Sequence, residues 1–348
     1  MAGETVLVTG GSGFVAGWCI ERLLKAGYTV NTTVRSLNKE ARVRETLAAY
    51  TPDAADPARL RFFAADLMAD TGWAEAVDGC RYVLHVASPL SGDEGGDDEE
   101  TYIRPARDGA LRVLTAAVAA GVERVVLTSS MGAVAYGHPK SRYTSGKPFD
   151  EQDWSDPTKK DASAYVRSKI IAERAAWDFM KTDGGKTQLT VINPAGIFGP
   201  AMSKDFSGSL NLIVGMLRGA MAGLPPIGFS VVDVRDLADL HLLAMTKPEA
   251  AGRRFPAGGE FLWFADVADI LRKELPAEMT RKIPTRQAPA WLLRIMGLWN
   301  PQVRALNHML NRSREMSQDA ALGLGWKPRS SEACLVDTAM SLKAIGVV

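Results

Sequence analysis

The 348-residue sequence predicts an α/β fold, a doubly wound parallel sheet with a smaller, mostly C-terminal lobe. Three observations carry that expectation. An apolar run at residues 5–9 breaks abruptly into closely spaced glycines. Segments that are apolar almost throughout then alternate with segments of helical periodicity, as strands buried on both faces do between crossover helices. The unusual residues, finally, fall at the carboxyl ends of those strands, where open α/β sheets bind ligands.

Residues 5–17, TVLVTGGSGFVAG, read as a buried strand turned sharply into a helix that opens near Phe14 and ends near Gly27. Lacking a Cβ, Gly10 and Gly13 can take positive φ and let a ligand approach the backbone, while the first N–H groups of the helix are left to receive an anion. The spacing departs from a plain GxGxxG, with Ala16 and Gly17 in the close-packing region. Its place between a strand and an amphipathic helix gives it weight. A second strand at 28–34 ends in Val34-Arg35-Ser36, and residues 31–38 contain no acid to accept an adenosine ribose hydroxyl. Arg35 and Arg42 instead offer guanidinium groups to a 2′-phosphate, so the expected cofactor is NADP(H).

Further strands are expected at 60–64, 82–87, 124–129 and 189–193. Asp66, after the third, could meet an adenine amino group or cap the next helix. The fourth ends in His85-Val86-Ala87-Ser88-Pro89, whose small residues let a flat cofactor pass close to the backbone. His85 reads as a packed strand-end side chain, because no second histidine stands at ligand spacing. Residues 91–100 hold six acids and three glycines. They read as a solvated lid edge whose last carboxylates meet the positive start of a helix at 103–120, rather than as a metal site.

Tyr-x-x-x-Lys places two side chains on one helix face. Three stretches match, but those at Tyr136 and Tyr143 enclose glycine or proline and cannot be regular helix. Tyr165 and Lys169 open an alanine-rich segment, 162–181, free of both breakers. An ammonium beside a tyrosine favours the phenolate and lowers its pKa, which suits Tyr165 to donate a proton to a carbonyl oxygen during hydride delivery. The Thr128-Ser129-Ser130 run offers a hydroxyl to polarise that oxygen. Taken alone, the pair would read better as a surface tyrosine and lysine on an amphipathic helix.

Five motifs in order, TGGSGFVAG, TSSMGAV, Tyr165-Val-Arg-Ser-Lys169, Asn193-Pro-Ala-Gly-Ile-Phe-Gly-Pro200 and Val232-Asp-Val-Arg-Asp-Leu-Ala238, resemble the extended short-chain dehydrogenase/reductases. The chain is most similar to their dihydroflavonol reductase, cinnamoyl-CoA reductase and aldehyde reductase branch, from the first strand to about residue 250. The resemblance implies a Rossmann-type fold and a catalytic set of Ser130, Tyr165 and Lys169. It assigns cofactor contacts to Gly10, Ser12, Gly13, Phe14, Val15, Arg35, Arg42, Asp66, Leu67, Val86, Ala87 and Ser88. The same role falls to Pro194, Ala195, Gly196, Ile197 and Ser209, with Lys169 also holding the nicotinamide ribose. Two departures matter. Ala135 stands where plant dihydroflavonol reductases carry a polar substrate contact, and 107–110 lacks the asparagine of the common proton relay.

Residues 201–229 are rich in glycine and methionine, and Met202 and Phe206, with Pro89, are the candidate substrate contacts. The segment could wall an adaptable apolar pocket, or its methionines could be helix core. Its only cations are Lys204 and Arg218, which counts against sugar nucleotides and, less firmly, CoA thioesters. The favoured reading is NADPH-dependent reduction of a neutral, fairly apolar aldehyde or ketone. The alternatives are a sterol or sugar-nucleotide dehydrogenase or epimerase with the same triad, and a non-catalytic NADPH-binding regulator. Residues 1–200, with 230–255 returning, are expected to form the cofactor domain; 201–229 and 256–348 form the substrate lobe.

A net charge of +1 with 23% charged residues excludes a nucleic-acid binder on composition. Three widely spaced cysteines support neither a disulfide framework nor zinc. With no membrane-length apolar run and no room for a signal peptide, a cytoplasmic monomer or homodimer acting on a small-molecule carbonyl substrate, with no membrane partner, is expected. Between Arg281 and Arg329 nine basic residues face only Glu315 and Asp319, which reads as water-exposed helix faces in preference to a surface for an anionic partner.

Overall fold

The computed structural model describes residues 3–88, 99–206 and 208–348, with the side chains of 99–101, 301, 302 and 305 left out. Pro89 and the acidic stretch at 91–98 lie outside the described residues. The chain order is β1 (Thr5–Val8), α1 (Phe14–Lys25), β2 (Thr29–Val34), α2 (Glu40–Ala48), β3 (Leu60–Ala64), α3 (Trp73–Val77), β4 (Cys80–His85), α4 (Glu99–Ala119), β5 (Arg124–Thr128), α5 (Ala164–Thr182), β6 (Gln188–Pro194) and β7 (Gly196–Phe198). There follow α6 (Leu210–Arg218), β8 (Gly228–Asp233), α7 (Val234–Thr246), β9 (Arg254–Ala257), β10 (Phe261–Trp263), α8 (Phe264–Glu274), α9 (Ala277–Thr280), α10 (Ala290–Met296), α11 (Pro301–Leu306), α12 (Asp319–Gly323) and α13 (Ser331–Ala344).

Seven parallel strands form the main sheet in the order β3-β2-β1-β4-β5-β6-β9. Side chains alternate between its faces along each strand. Val6, Val8, Leu84, Val126 and Ile192 pack with α1 and α7, whereas Leu7, Val83, Val125 and Val191 pack with α3, α4 and α5. Burial on both faces is what makes these strands apolar without interruption. The order reverses at β1 and β4, so the crevice beyond their carboxyl ends is where the fold receives a ligand.

The fourth strand ends at His85, short of the expected Ala87, because the N–H groups of Val86 and Ala87 turn to the Thr9 hydroxyl at 3.0 and 2.9 Å. A second sheet, β10-β8-β7, packs with α6, α8 and α13 around Phe198, Leu210, Val231, Leu271 and Leu335. Ala321, Leu324 and Trp326 join the main core instead, and the Trp326 indole donates to the Asp236 carbonyl at 2.6 Å. Cys19, Cys80 and Cys334 are buried, and burial pushes all three thiols up, the unreactive direction.

Candidate active site

The glycine turn after β1 is shaped by what surrounds it. Gly10 has φ +75°, and a Cβ there would lie 3.0 Å from the Ala87 Cβ, so this close approach to the fourth strand's end needs glycine. Gly13 does not use the positive φ expected of it; as N-cap of α1 it is extended at φ −83°. The tightest position is Gly11, where a Cβ would meet the Thr32 hydroxyl at 2.3 Å. No side chain caps α1 and no acid occupies its first turn, so its N-terminus suits an anion.

A cavity runs from this turn along Ser12, Phe14 and Gly17 to Lys39, Arg42 and Val43. Arg42 lines it and, like Arg35 at the end of β2, is exposed. Lys39, absent from the sequence reading, brings a third cation; its signal was a lysine four residues after Arg35. Asp66 receives the Met68 N–H at 2.8 Å in a tight turn and does not cap α3, whose N-cap is Gly72. The neighbouring Leu67 packs against Gly109.

Thr9 also escaped the sequence reading. Its hydroxyl accepts from Val86 and Ala87 and lies 2.9 Å from His85 Nδ1, so the proton it donates goes to that nitrogen. Burial drives the His85 pKa down to about 3, which keeps the ring neutral as this arrangement requires. One threonine thereby shapes the 85–88 segment.

Ser163 caps α5 by accepting the Val166 N–H, which fixes the first helical turn and with it Tyr165. The Tyr165 phenol faces Ser130, whose hydroxyl favours its ionised form. Ser130 stands just after β5, and its Oγ accepts the Gly132 N–H at 3.0 Å. One turn beyond Tyr165, the buried Lys169 places Nζ 5.8 Å from the phenol ring centre and donates to Ser88 Oγ at 2.8 Å. Ser130, Tyr165, Lys169 and Ser88 thus converge from three segments, the ends of β4 and β5 and the first turns of α5.

The electrostatics correct one expectation. Desolvation holds the Tyr165 phenol above the ordinary tyrosine range, with the Ser130 hydroxyl pulling the other way. The Lys169 ammonium, donating to Ser88, does not outweigh that desolvation. Lys169 itself is drawn down to about 8 by burial, and Glu173 opposes that fall. Glu173, the next residue along the same helix face, is wholly buried. It accepts from Ser129 Oγ at 2.5 Å, Asn193 Nδ2 at 2.7 Å and Arg254 Nε at 2.6 Å. Arg254 in turn donates to the Asp153 carbonyl at 2.8 Å and stacks 3.7 Å from the Trp154 ring centre. An acid four residues after Lys169 was the available signal for this network.

Pro194 is buried at the end of β6, and Ala195, Gly196 and Ile197 follow half-exposed; Ser209 is the N-cap of α6. Met202, read from sequence as a substrate contact, packs against α1. Its Sδ lies 3.3 Å from the Cβ position of Gly17, so it lines the cavity beside Arg42. The Trp18 indole, donating to the Pro200 carbonyl at 3.0 Å, draws the preceding turn onto α1. Phe206 packs with the second core. Ala135 is fully buried, and its neighbour Tyr136 instead packs beside Tyr165. A second cavity opens one residue further on, lined by His138, Lys159, Lys160, Asp161, His308 and Arg312.

The model of the NAD dependent epimerase/dehydratase family matches residues 6–258. Cinnamoyl-CoA reductase 1 of Petunia hybrida is 34% identical over 350 residues, covering 99% of this chain and 94% of that one. Cinnamoyl-CoA reductase 1 of Arabidopsis thaliana is 37% identical over 279 residues, 79% of this chain and 76% of that one. Among solved structures, yeast methylglyoxal/isovaleraldehyde reductase Gre2 complexed with NADPH superposes with a TM-score of 0.78 at 27% identity, covering 99% of this chain and 100% of that one. The chain belongs to the NAD dependent epimerase/dehydratase family, within the extended short-chain dehydrogenase/reductases.

Proposed function

We propose that this chain, an NADP-dependent oxidoreductase of that family, reduces an aldehyde or ketone to the alcohol, with Tyr165 as proton donor. The convergence of Ser130, Tyr165 and Lys169 beside the small-residue strand end carries the reading. The uncapped N-terminus of α1, the close Gly10 turn and the Arg35, Lys39 and Arg42 cations fit NADPH, which when bound supplies the hydride. Ser130 and Tyr165 hold the carbonyl oxygen, and Tyr165 gives its proton as negative charge develops there. A phenol kept neutral by desolvation is in the donating form throughout the physiological range. Lys169 stabilises the phenolate left behind.

The test is NADPH oxidation by the purified protein over a panel of aromatic and aliphatic aldehydes and ketones, repeated with NADH. Turnover preferring NADPH is the expected result; tight NADPH binding without turnover on any carbonyl would reject the reading. One observation favours a second substrate class. Lys159, Lys160 and Arg312 line a cavity next to Tyr136, cations that a count over 201–229 could not include. They suit the phosphates of an acyl-CoA thioester, the substrate class named for the cinnamoyl-CoA reductases, so a hydroxycinnamoyl-CoA belongs on the panel.

Two outcomes follow from the geometry. Replacing Arg35 and Lys39 together by alanine removes charge-assisted contacts of about 1.5–3 kcal/mol each, so KM for NADPH should rise by roughly two orders of magnitude or more while the NADH value stays put. Initial-rate kinetics with both cofactors read this directly. Lys169 loses its proton as pH rises through about 8, so kcat/KM for reduction should decline above that pH. A flat profile from neutrality to mild alkali would remove Lys169 from the proposed role.

A further inference from the structure

We infer that the segment built from α10 and α11 docks on the surface of an anionic lipid bilayer. Nothing in α10 is buried, although its sequence is AWLLRIM. Trp291 and Ile295 share one face by their spacing, as do Leu292 and Met296. All four are exposed, at 61, 44, 38 and 44% respectively, and Leu298 and Trp299 continue the patch at 68 and 76%. The helix is inverted relative to an ordinary surface helix, which turns its apolar face inward. Its inner side is closed by a small residue: Gly297 is buried, and a Cβ there would lie 3.1 Å from the Arg304 Cα of α11. The segment is held at both ends, by Ala288 N–H on the Leu224 carbonyl and Asn311 N–H on the Pro226 carbonyl, each 2.8 Å. The apolar face is thus presented outward on a fixed mount.

Charge selects the occupant. No acid occurs from Arg281 to Arg314, and Arg294 and Arg304 are exposed beside the apolar patch. A second copy meeting this face across a two-fold axis would bring the two cationic patches together. An anionic bilayer satisfies both features, since it receives the indoles at headgroup depth and pairs the guanidinium groups with lipid phosphates. At seven residues α10 is far too short to span, and no described helix is long and apolar enough to cross a membrane, so the segment lies in the interfacial plane. The basic stretch that reads from sequence as water-facing helix becomes one half of an amphipathic surface once its apolar neighbours are seen to share it.

Co-sedimentation of the full chain with phosphatidylcholine vesicles, with and without phosphatidylglycerol, tests this. Binding is expected only with phosphatidylglycerol present, and should weaken as salt rises. Arg294→Gln with Arg304→Gln should lower the vesicle partition coefficient by roughly thirtyfold, at about 1 kcal/mol for each cation. Trp291→Ser with Trp299→Ser should lower it by at least about tenfold. Both pairs are exposed, so thermal midpoint and NADPH binding should be unchanged. No binding, equal binding to both vesicle types, or unaltered binding by the folded variants would overturn the inference. A dimer dissolved by the same substitutions, without vesicle binding, would overturn it and give the face to a second copy.

Discussion

Tyr165→Phe should lower kcat by about 10²–10⁴-fold, the usual contribution of a positioned general acid, while leaving NADPH affinity within a small factor of the parent. The ring keeps its volume and its place in the first turn of α5, which the Ser163 cap fixes independently of the hydroxyl. Only the donor hydroxyl and its interaction with Ser130 are removed. Single-turnover reduction with pre-bound NADPH, alongside fluorescence titration of the cofactor, separates chemistry from binding. Turnover near the parent rate would eliminate Tyr165 as proton donor, and loss of cofactor binding with unchanged chemistry would assign it a structural part.

Glu173→Ala should be the most destabilising single change in the site, at about 3–5 kcal/mol, because it leaves a buried guanidinium unpaired. The Glu173 carboxylate is wholly enclosed and Arg254 is only 7% exposed, so water cannot replace the lost partner. Ser129 and Asn193 would lose their acceptor as well. Glu173→Gln keeps the volume and part of the hydrogen bonding but removes the charge that holds Lys169 up. Its alkaline decline in kcat/KM should therefore begin below pH 8, the value for Lys169 in the parent. Denaturant melts and a pH profile read the two effects separately. A Gln variant with the parent pH profile would leave Glu173 purely structural.

Six of the seven strands of the main sheet were readable because strand burial is a local property of sequence; β9, at Arg254–Ala257, was not read. Val6, Leu7 and Val8 are all apolar since both sheet faces are covered, and that run was visible before any partner was known. Tyr165 and Lys169 were readable for a similar reason, since one helical turn links them whatever the rest of the chain does. Strand ends were less so. That β4 stops at His85 depends on Thr9, which lies just past β1 and 77 residues from Val86. That Met202 packs against α1 was not legible, because it follows from Trp18, far away in sequence, drawing the adjoining turn onto that helix.

By itself the sequence determined the first six strands and the alternation of helices between them, the glycine turn with its nearby cations, and a tyrosine and lysine on one helix face. All of these rest on spacings of a few residues, where backbone geometry alone decides what meets. Tertiary structure decided where Lys169 points, since its Ser88 partner is 81 residues away. It also decided that Glu173 is neutralised by Arg254, likewise 81 residues distant, and that the apolar residues of α10 face outward. Contacts at such separations depend on which strands lie side by side, and that order is set by packing of the whole chain rather than by any local pattern.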